Sequence, residues 1–254
     1  MITSNQNSKI KLIRALMRRA KERREAGLFV IEGVRLFEEA VDSNWEIKFV
    51  LYDETLSERG KKKLESLKNI EVEEVSASVM KSISETESPQ GILAVLKFSQ
   101  LPTSDSLNFV LIPDQIRDPG NLGTLLRSAT ATGVGAVLIP PDTTDAFAPK
   151  VLRSGMGAHF KLPIQEASWE EIGQVVKDMN VLIADMDGKS CWETDLTKPT
   201  VLIIGSEADG ASESARKLAN GKISIPMSGD IESLNAGVAG SVLMFETFRQ
   251  RNIK

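Results

Sequence analysis

Between residues 8 and 25, apolar side chains fall at Ile10, Ile13, Leu16, Met17 and Ala20. That spacing marks one face of a helix, and Lys11, Arg14, Arg18 and Lys21 fall on another. After Gly27 the short apolar run Leu28–Glu32 predicts a strand, Val34–Val41 a helix and Ile47–Tyr52 a second strand. Glu54–Leu67 reads as a charged helix and Gly91–Phe98 as a further strand. The alternation predicts a small α/β domain over residues 1–100. Ser99–Leu107, with Pro102 and several Ser and Thr residues, is the best linker. In residues 101–254, strand-like runs recur at Phe109–Ile112, Ala136–Ile139, Val181–Ala184, Val201–Ile204 and Lys222–Ile225. Helical patterns at Leu122–Thr132, Glu170–Met179, Ser212–Leu218 and Asn235–Arg249 separate most of them. Short runs apolar on both faces, joined by helices, predict a mostly parallel sheet covered on each side.

At roughly 150 residues per domain, the 254 residues suggest one to two domains. Charged residues at 26% and hydrophobic ones at 41% exclude a disordered chain. No apolar stretch approaches the ~20 residues of a membrane-spanning helix. The start is basic without a following apolar region, so no signal peptide is expected. An Arg-rich transit peptide is an alternative reading, outweighed by the unbroken run into the first strand. The single cysteine, Cys191, cannot form an internal disulfide and suits a cytoplasmic protein. With only His159 beside it, no metal site is expected.

The net charge of −4 argues against a general nucleic-acid binder. The distribution changes that picture: Lys9, Lys11, Arg14, Arg18, Arg19, Lys21, Arg23 and Arg24 cluster with only Glu22 opposing them. A local basic strip on an acidic chain still attracts phosphates.

Three segments carry candidate chemistry. In Ile112–Arg127 a strand meets a Pro119–Gly120 turn, Asn121 is suited to cap the next helix, and Arg127 would lie in its second turn. A helix N-terminus with a nearby guanidinium can hold a phosphate or ribose. A plain strand–turn–helix is the alternative. In Val201–Gly210 a buried strand runs into a polar loop, where Gly205 and Gly210 permit close ligand approach and Glu207 stands at the sheet's ligand-binding end. In Ile223–Gly240 a strand ends near Pro226 and Asn235 opens an apolar helix. Gly237 and Gly240 inside that helix point to close backbone packing. Leu243, Met244, Phe245 and Phe248 make the helix core or a subunit interface.

Taken in order, Asp118-Pro-Gly-Asn-Leu-Gly-x-x-x-Arg127, Gly205-Ser-Glu207, and Ile225-Pro-Met with Glu232-Ser-Leu-Asn235 resemble the SpoU/TrmH family of RNA ribose 2′-O-methyltransferases. Lys150–Ala158 is similar to a further family segment, and Phe29-Val-Ile-Glu-Gly33 is similar to the L30e-like substrate-binding domain of ribosomal-RNA members. The resemblance implies an α/β methyltransferase domain tied in a deep trefoil knot, an exception to the rule against threading. It implies S-adenosylmethionine held largely by backbone at Gly205, Ile225, Met227 and Leu234, and a homodimer. Arg127 would be the central catalytic residue, with Asn121, Glu207, Ser233 and Asn235 positioning the ribose. Because arginine releases its proton only above about pH 12, electrostatic activation of the hydroxyl is favoured over a general-base role. The sequence departs from the family at Ala208 and Ala211, where Gly and Leu are usual, and at Thr130, where Asp is frequent.

The expected substrate is 23S ribosomal RNA, with transfer RNA second. The aromatic content of 5% disfavours a base-stacking platform, so Lys11, Arg14, Arg18 and Lys21 are the expected RNA contacts. Two readings compete. A non-catalytic RNA-binding protein would not need Asn121, Arg127, Glu207 and Asn235 together, and a dehydrogenase would need a GxGxxG turn that is absent. His159 and Cys191 are expected to be structural.

Overall fold

A computed structural model describes residues 1–104, 106–206, 209–229 and 233–252. In chain order the elements are α1 (Ser8–Arg18), α2 (Ala20–Ala26), β1 (Leu28–Glu32), α3 (Val34–Asp42), β2 (Ile47–Tyr52), α4 (Glu58–Glu65), β3 (Glu71–Glu74), α5 (Ala77–Ile83) and β4 (Ile92–Lys97). There follow β5 (Phe109–Pro113), α6 (Pro119–Ala131), β6 (Ala136–Ile139), α7 (Pro149–Gly155), a 3-10 turn (Ala158–Phe160), β7 (Ile164–Glu166) and α8 (Trp169–Val176). The chain closes with β8 (Asn180–Ser190), β9 (Thr200–Ile204), α9 (Glu213–Leu218), β10 (Gly221–Ser224) and α10 (Ala236–Asn252). Two compact units result: Met1–Ser99 with Phe147–Phe160, and Gln100–Ala146 with Lys161–Lys254.

The first unit holds a four-stranded sheet in the order β1-β4-β2-β3, antiparallel except for the β2–β3 pair. The apolar face predicted for residues 8–25 is present, with Ile10, Ile13 and Leu16 fully buried against Val30, Leu51 and Val95. The helix is not continuous, however. Its backbone is extended at Arg19 and restarts as α2. The buried Arg23 donates from its guanidinium to the Leu16 and Met17 carbonyls, satisfying the end of α1. The helix expected over Glu54–Leu67 is shorter, because Ser57 caps it at Glu58. Phe147 joins this unit by ring contacts, tilted against Phe29 and edge-on to Phe98 and His159, while Arg153 of α7 pairs with Glu32 and Glu85. His159 is buried within this aromatic group, in keeping with a structural role.

The second unit is built on a six-stranded sheet, β10-β8-β9-β5-β6-β7, in which every pairing is parallel. Its central strands β5 and β9 are buried at every residue, as their uninterrupted apolar runs require. Ile225 lies just beyond the strand predicted for Lys222–Ile225, which ends at Ser224. Helix α10 packs on α6 through small residues. A Cβ at Gly240 would stand 2.2 Å from Leu125 Cδ2, and Ser128 and Ser241 share a 2.7 Å hydrogen bond. The expectation that these helix glycines serve close packing is met. Cys191 is fully buried, and that burial raises its thiol's pKa, leaving it unreactive.

Candidate active site

The site forms where β5 and β9 end side by side. Asp114, the residue after β5, donates its backbone N–H to the Ile204 carbonyl at 2.8 Å, so the ladder runs one step past the strand. The chain then turns sharply. Gln115 has φ 54°, a left-handed conformation that costs a non-glycine residue energy and persists only when its surroundings enforce it. Thr143 enforces it by accepting from the Gln115 N–H at 3.0 Å and donating to the Pro113 carbonyl at 2.8 Å. This places Asp118 at the head of α6.

Asp118, not Asn121, caps α6. Its Oδ1 accepts from the Asn121 N–H at 2.9 Å, and Pro119 occupies the first helical position. Proline has no N–H to satisfy and its fixed φ suits that position, so the helix starts before Asn121 rather than at it. Asn121 therefore sits in the first turn, and Arg127 falls in the third turn rather than the second. Arg127 is exposed and makes no ion pair among the described residues.

Asn235 precedes α10 and caps it, its Oδ1 accepting from the Val238 N–H at 3.2 Å. Its Nδ2 donates to Asn121 Oδ1 at 2.9 Å. The first and third sequence segments thus meet through a direct amide–amide hydrogen bond. Ser233 is exposed and Leu234 half-buried just before it.

The second segment is folded tightly on itself. Ser206 and Gly210 exchange backbone hydrogen bonds of 2.9 and 3.0 Å, and Gly210 has φ 68°. A Cβ at Gly205 would lie 2.4 Å from the Gly210 carbonyl carbon, so only glycine fits there. Glu207, the remaining member of this segment, lies outside the described residues. The fully buried Asp114 accepts the Ser212 N–H on Oδ2 at 2.6 Å, whereas its buried Oδ1 has no hydrogen-bond partner among the described residues. Burial raises the Asp114 carboxyl above the ordinary aspartate range, the Ser212 hydrogen bonds opposing it. Neither Asp114 nor Thr143 was among the expected site residues. The available signal for Asp114 was a lone charge directly after an entirely apolar strand.

After β10, residues Ile225–Gly229 follow an irregular path, with Ile225 half-buried and Met227 38% exposed. Among the described residues no group of His, Cys, Asp and Glu could hold a metal ion.

The basic strip is less available than its sequence suggests. Lys9 pairs with Glu71 and Glu73, Arg14 donates to Asn5 and Ser82, and Arg23 is buried. Lys21 stands 3.6 Å from Glu25. Lys11 and Arg18 are exposed.

Comparison with known proteins agrees with this geometry. Residues 108–245 match the SpoU rRNA Methylase family, and residues 7–94 match the MRM3-like substrate binding domain. The chain belongs to the SpoU rRNA methylase family. It is 34% identical to the 23S rRNA (guanosine(2553)-2′-O)-methyltransferase RlmP of Bacillus subtilis, covering 96% of this chain and 97% of the relative. It is 30% identical to a 23S rRNA (uridine(2479)-2′-O)-methyltransferase of Streptomyces viridochromogenes, over 98% of this chain and 92% of that one. Among solved structures, the AdoMet-bound rRNA methyltransferase of Sinorhizobium meliloti superposes with a TM-score of 0.86 at 30% identity, covering 100% of this chain and 98% of that one.

Proposed function

We propose that the protein transfers a methyl group from S-adenosylmethionine to a ribose 2′-hydroxyl of 23S ribosomal RNA. The observation that carries the reading is the Asn235–Asn121 hydrogen bond, which joins the cap of α10 to the first turn of α6, the helix bearing the exposed Arg127. The Gly205–Gly210 turn, Ile225, Met227 and Leu234 would hold the methyl donor. Gly205 fits that role because its turn is packed backbone on backbone and presents peptide groups rather than a side chain. The bound sulfonium supplies an electrophilic methyl group and a good leaving group.

What remains for the protein is alignment and charge. Arg127 anchors a phosphate and stabilises negative charge developing on the 2′-oxygen, which eases loss of its proton. Asn121 and Asn235 fix each other and orient the ribose, with Ser233 and Glu207 completing the positioning set. The first unit is the RNA-binding domain, with Lys11, Arg14, Arg18 and Lys21 on its phosphate-facing side. The trefoil knot of the family and a cytoplasmic location belong to the same reading. The protein acts as a homodimer, a state supported by the exposed Val238, Phe245 and Phe248 of α10 beside Trp192.

The test is methyl transfer from labelled S-adenosylmethionine to 23S rRNA and to transfer RNA transcripts, with wild type and Arg127→Ala. Wild type labels ribosomal RNA, and Arg127→Ala loses at least ~100-fold in rate while binding the donor normally. Labelling of transfer RNA alone would reassign the substrate. Full activity in the variant would remove Arg127 from its role.

A further inference from the structure

We infer that Asp114 is a positioning residue that sets the donor-binding turn by holding the Ser212 N–H. This inference rests on the donor site proposed above. Three observations lead to it. Asp114 is fully buried, with one carboxylate oxygen on Ser212 and the other on nothing among the described residues. A buried carboxylate half without partners is a poor stabiliser, because desolvation of charge is repaid only by complete hydrogen bonding. The contact it does make falls at the far end of the loop that begins at Gly205. Ile204 is already tied to the Asp114 backbone at 2.8 Å, so Asp114 grips both ends of the segment, one by its main chain and one by its side chain.

The grip is rigid on the other side as well. The backbone following Asp114 is locked in its left-handed turn by Thr143. Between the two held ends, Ser206 and Gly210 exchange backbone hydrogen bonds. Arg216 adds a third restraint, donating to the Ala211 carbonyl at 3.1 Å. Ser212 also caps α9 with its side chain, accepting the Ala215 N–H.

The experiment compares Asp114→Leu and Asp114→Asn with wild type by calorimetric titration with S-adenosylmethionine, steady-state transfer kinetics and thermal melting. Leucine matches aspartate in shape but offers no acceptor. It raises the donor Kd and KM at least ~10-fold, with kcat at saturating donor within about threefold of wild type. Asparagine keeps an acceptor for Ser212 and restores donor affinity to within about threefold. The inference is overturned if Asp114→Leu binds the donor normally. It is also overturned if folded Asp114→Asn loses affinity ~10-fold, a readout independent of whether the leucine variant folds. Wild-type protein that takes no donor overturns the functional reading as well, whereas normal wild-type binding with unaltered variants overturns this inference alone.

Discussion

Asn235 Nδ2 donates to Asn121 Oδ1 at 2.9 Å while Asn235 Oδ1 accepts the Val238 N–H, so one side chain ends a loop, starts α10 and fastens it to α6. The two duties use opposite ends of the amide. Asn235→Asp keeps the helix-capping acceptor but sets a carboxylate oxygen against the Asn121 oxygen. Melting temperature is expected to stay close to wild type while methyl transfer falls at least ~10-fold. Asn235→Ala removes both functions and costs about 1 kcal/mol of stability besides. Equal loss of stability in both variants would break the division.

Gly205→Ala tests the tight turn. The added Cβ would meet the Gly210 carbonyl carbon at 2.4 Å and the Ala211 nitrogen at 2.5 Å, and backbone cannot swing aside as a side chain can. Destabilisation of roughly 1–3 kcal/mol is expected from overpacking, together with loss of donor binding. Denaturant unfolding and calorimetric titration read the two effects.

The Asp114 carboxyl gives stability a pH dependence of known sign. Its pKa is raised in the folded protein, so its contribution is fully present below the ordinary aspartate pKa and is lost as pH rises through the higher folded value. Asp114→Asn carries no such charge. Measured by urea unfolding, the variant should gain on wild type as pH rises above the ordinary aspartate range. A difference independent of pH would contradict the buried charge.

The basic strip divides into structural and exposed members. Arg23→Ala strips the Leu16 and Met17 carbonyls of their donor and should cost about 1–3 kcal/mol of stability. Lys11→Glu with Arg18→Glu should leave stability within about 0.5 kcal/mol. That pair should weaken RNA binding and flatten its salt dependence. Unfolding curves and filter binding at several salt concentrations distinguish the two groups.

Phe245→Glu places a charge in the exposed apolar band of α10. On the proposed homodimer, sedimentation should show wild type as a dimer and the variant as a monomer at the same concentration, with transfer activity reduced in parallel. A variant that still sediments as a dimer would move the interface elsewhere.

The parallel sheet was legible because β5 and β9 must be apolar on both faces, and a run such as Phe109-Val-Leu-Ile announces that burial. The edge strands β3 and β7 were not, although the edge strands β1 and β10 were. Glu71-Val-Glu-Glu and Ile164-Gln-Glu lie at the borders of their sheets, where one flank meets solvent and little apolar patterning is needed. The Asn121–Asn235 pairing could be suspected from two motifs but not seen, since their contact spans over a hundred residues. Asp118 displaced Asn121 as the cap because either residue type serves and only the position of Pro119 decides between them. The break at Arg19 was hidden because the apolar period continues through it, and only the burial of Arg23 shows why the chain turns there.

With Lys9 held by Glu71 and Glu73, and Arg23 sunk beneath α1, much of the strip's positive charge is committed inward on a chain that is acidic overall. The exposed Lys11 and Arg18 are then expected to carry most of the strip's salt-dependent attraction to phosphates. With so few free cations, recognition by the shape of a folded target is expected to matter more than charge, and partly assembled ribosomal particles become a useful test ligand beside naked RNA.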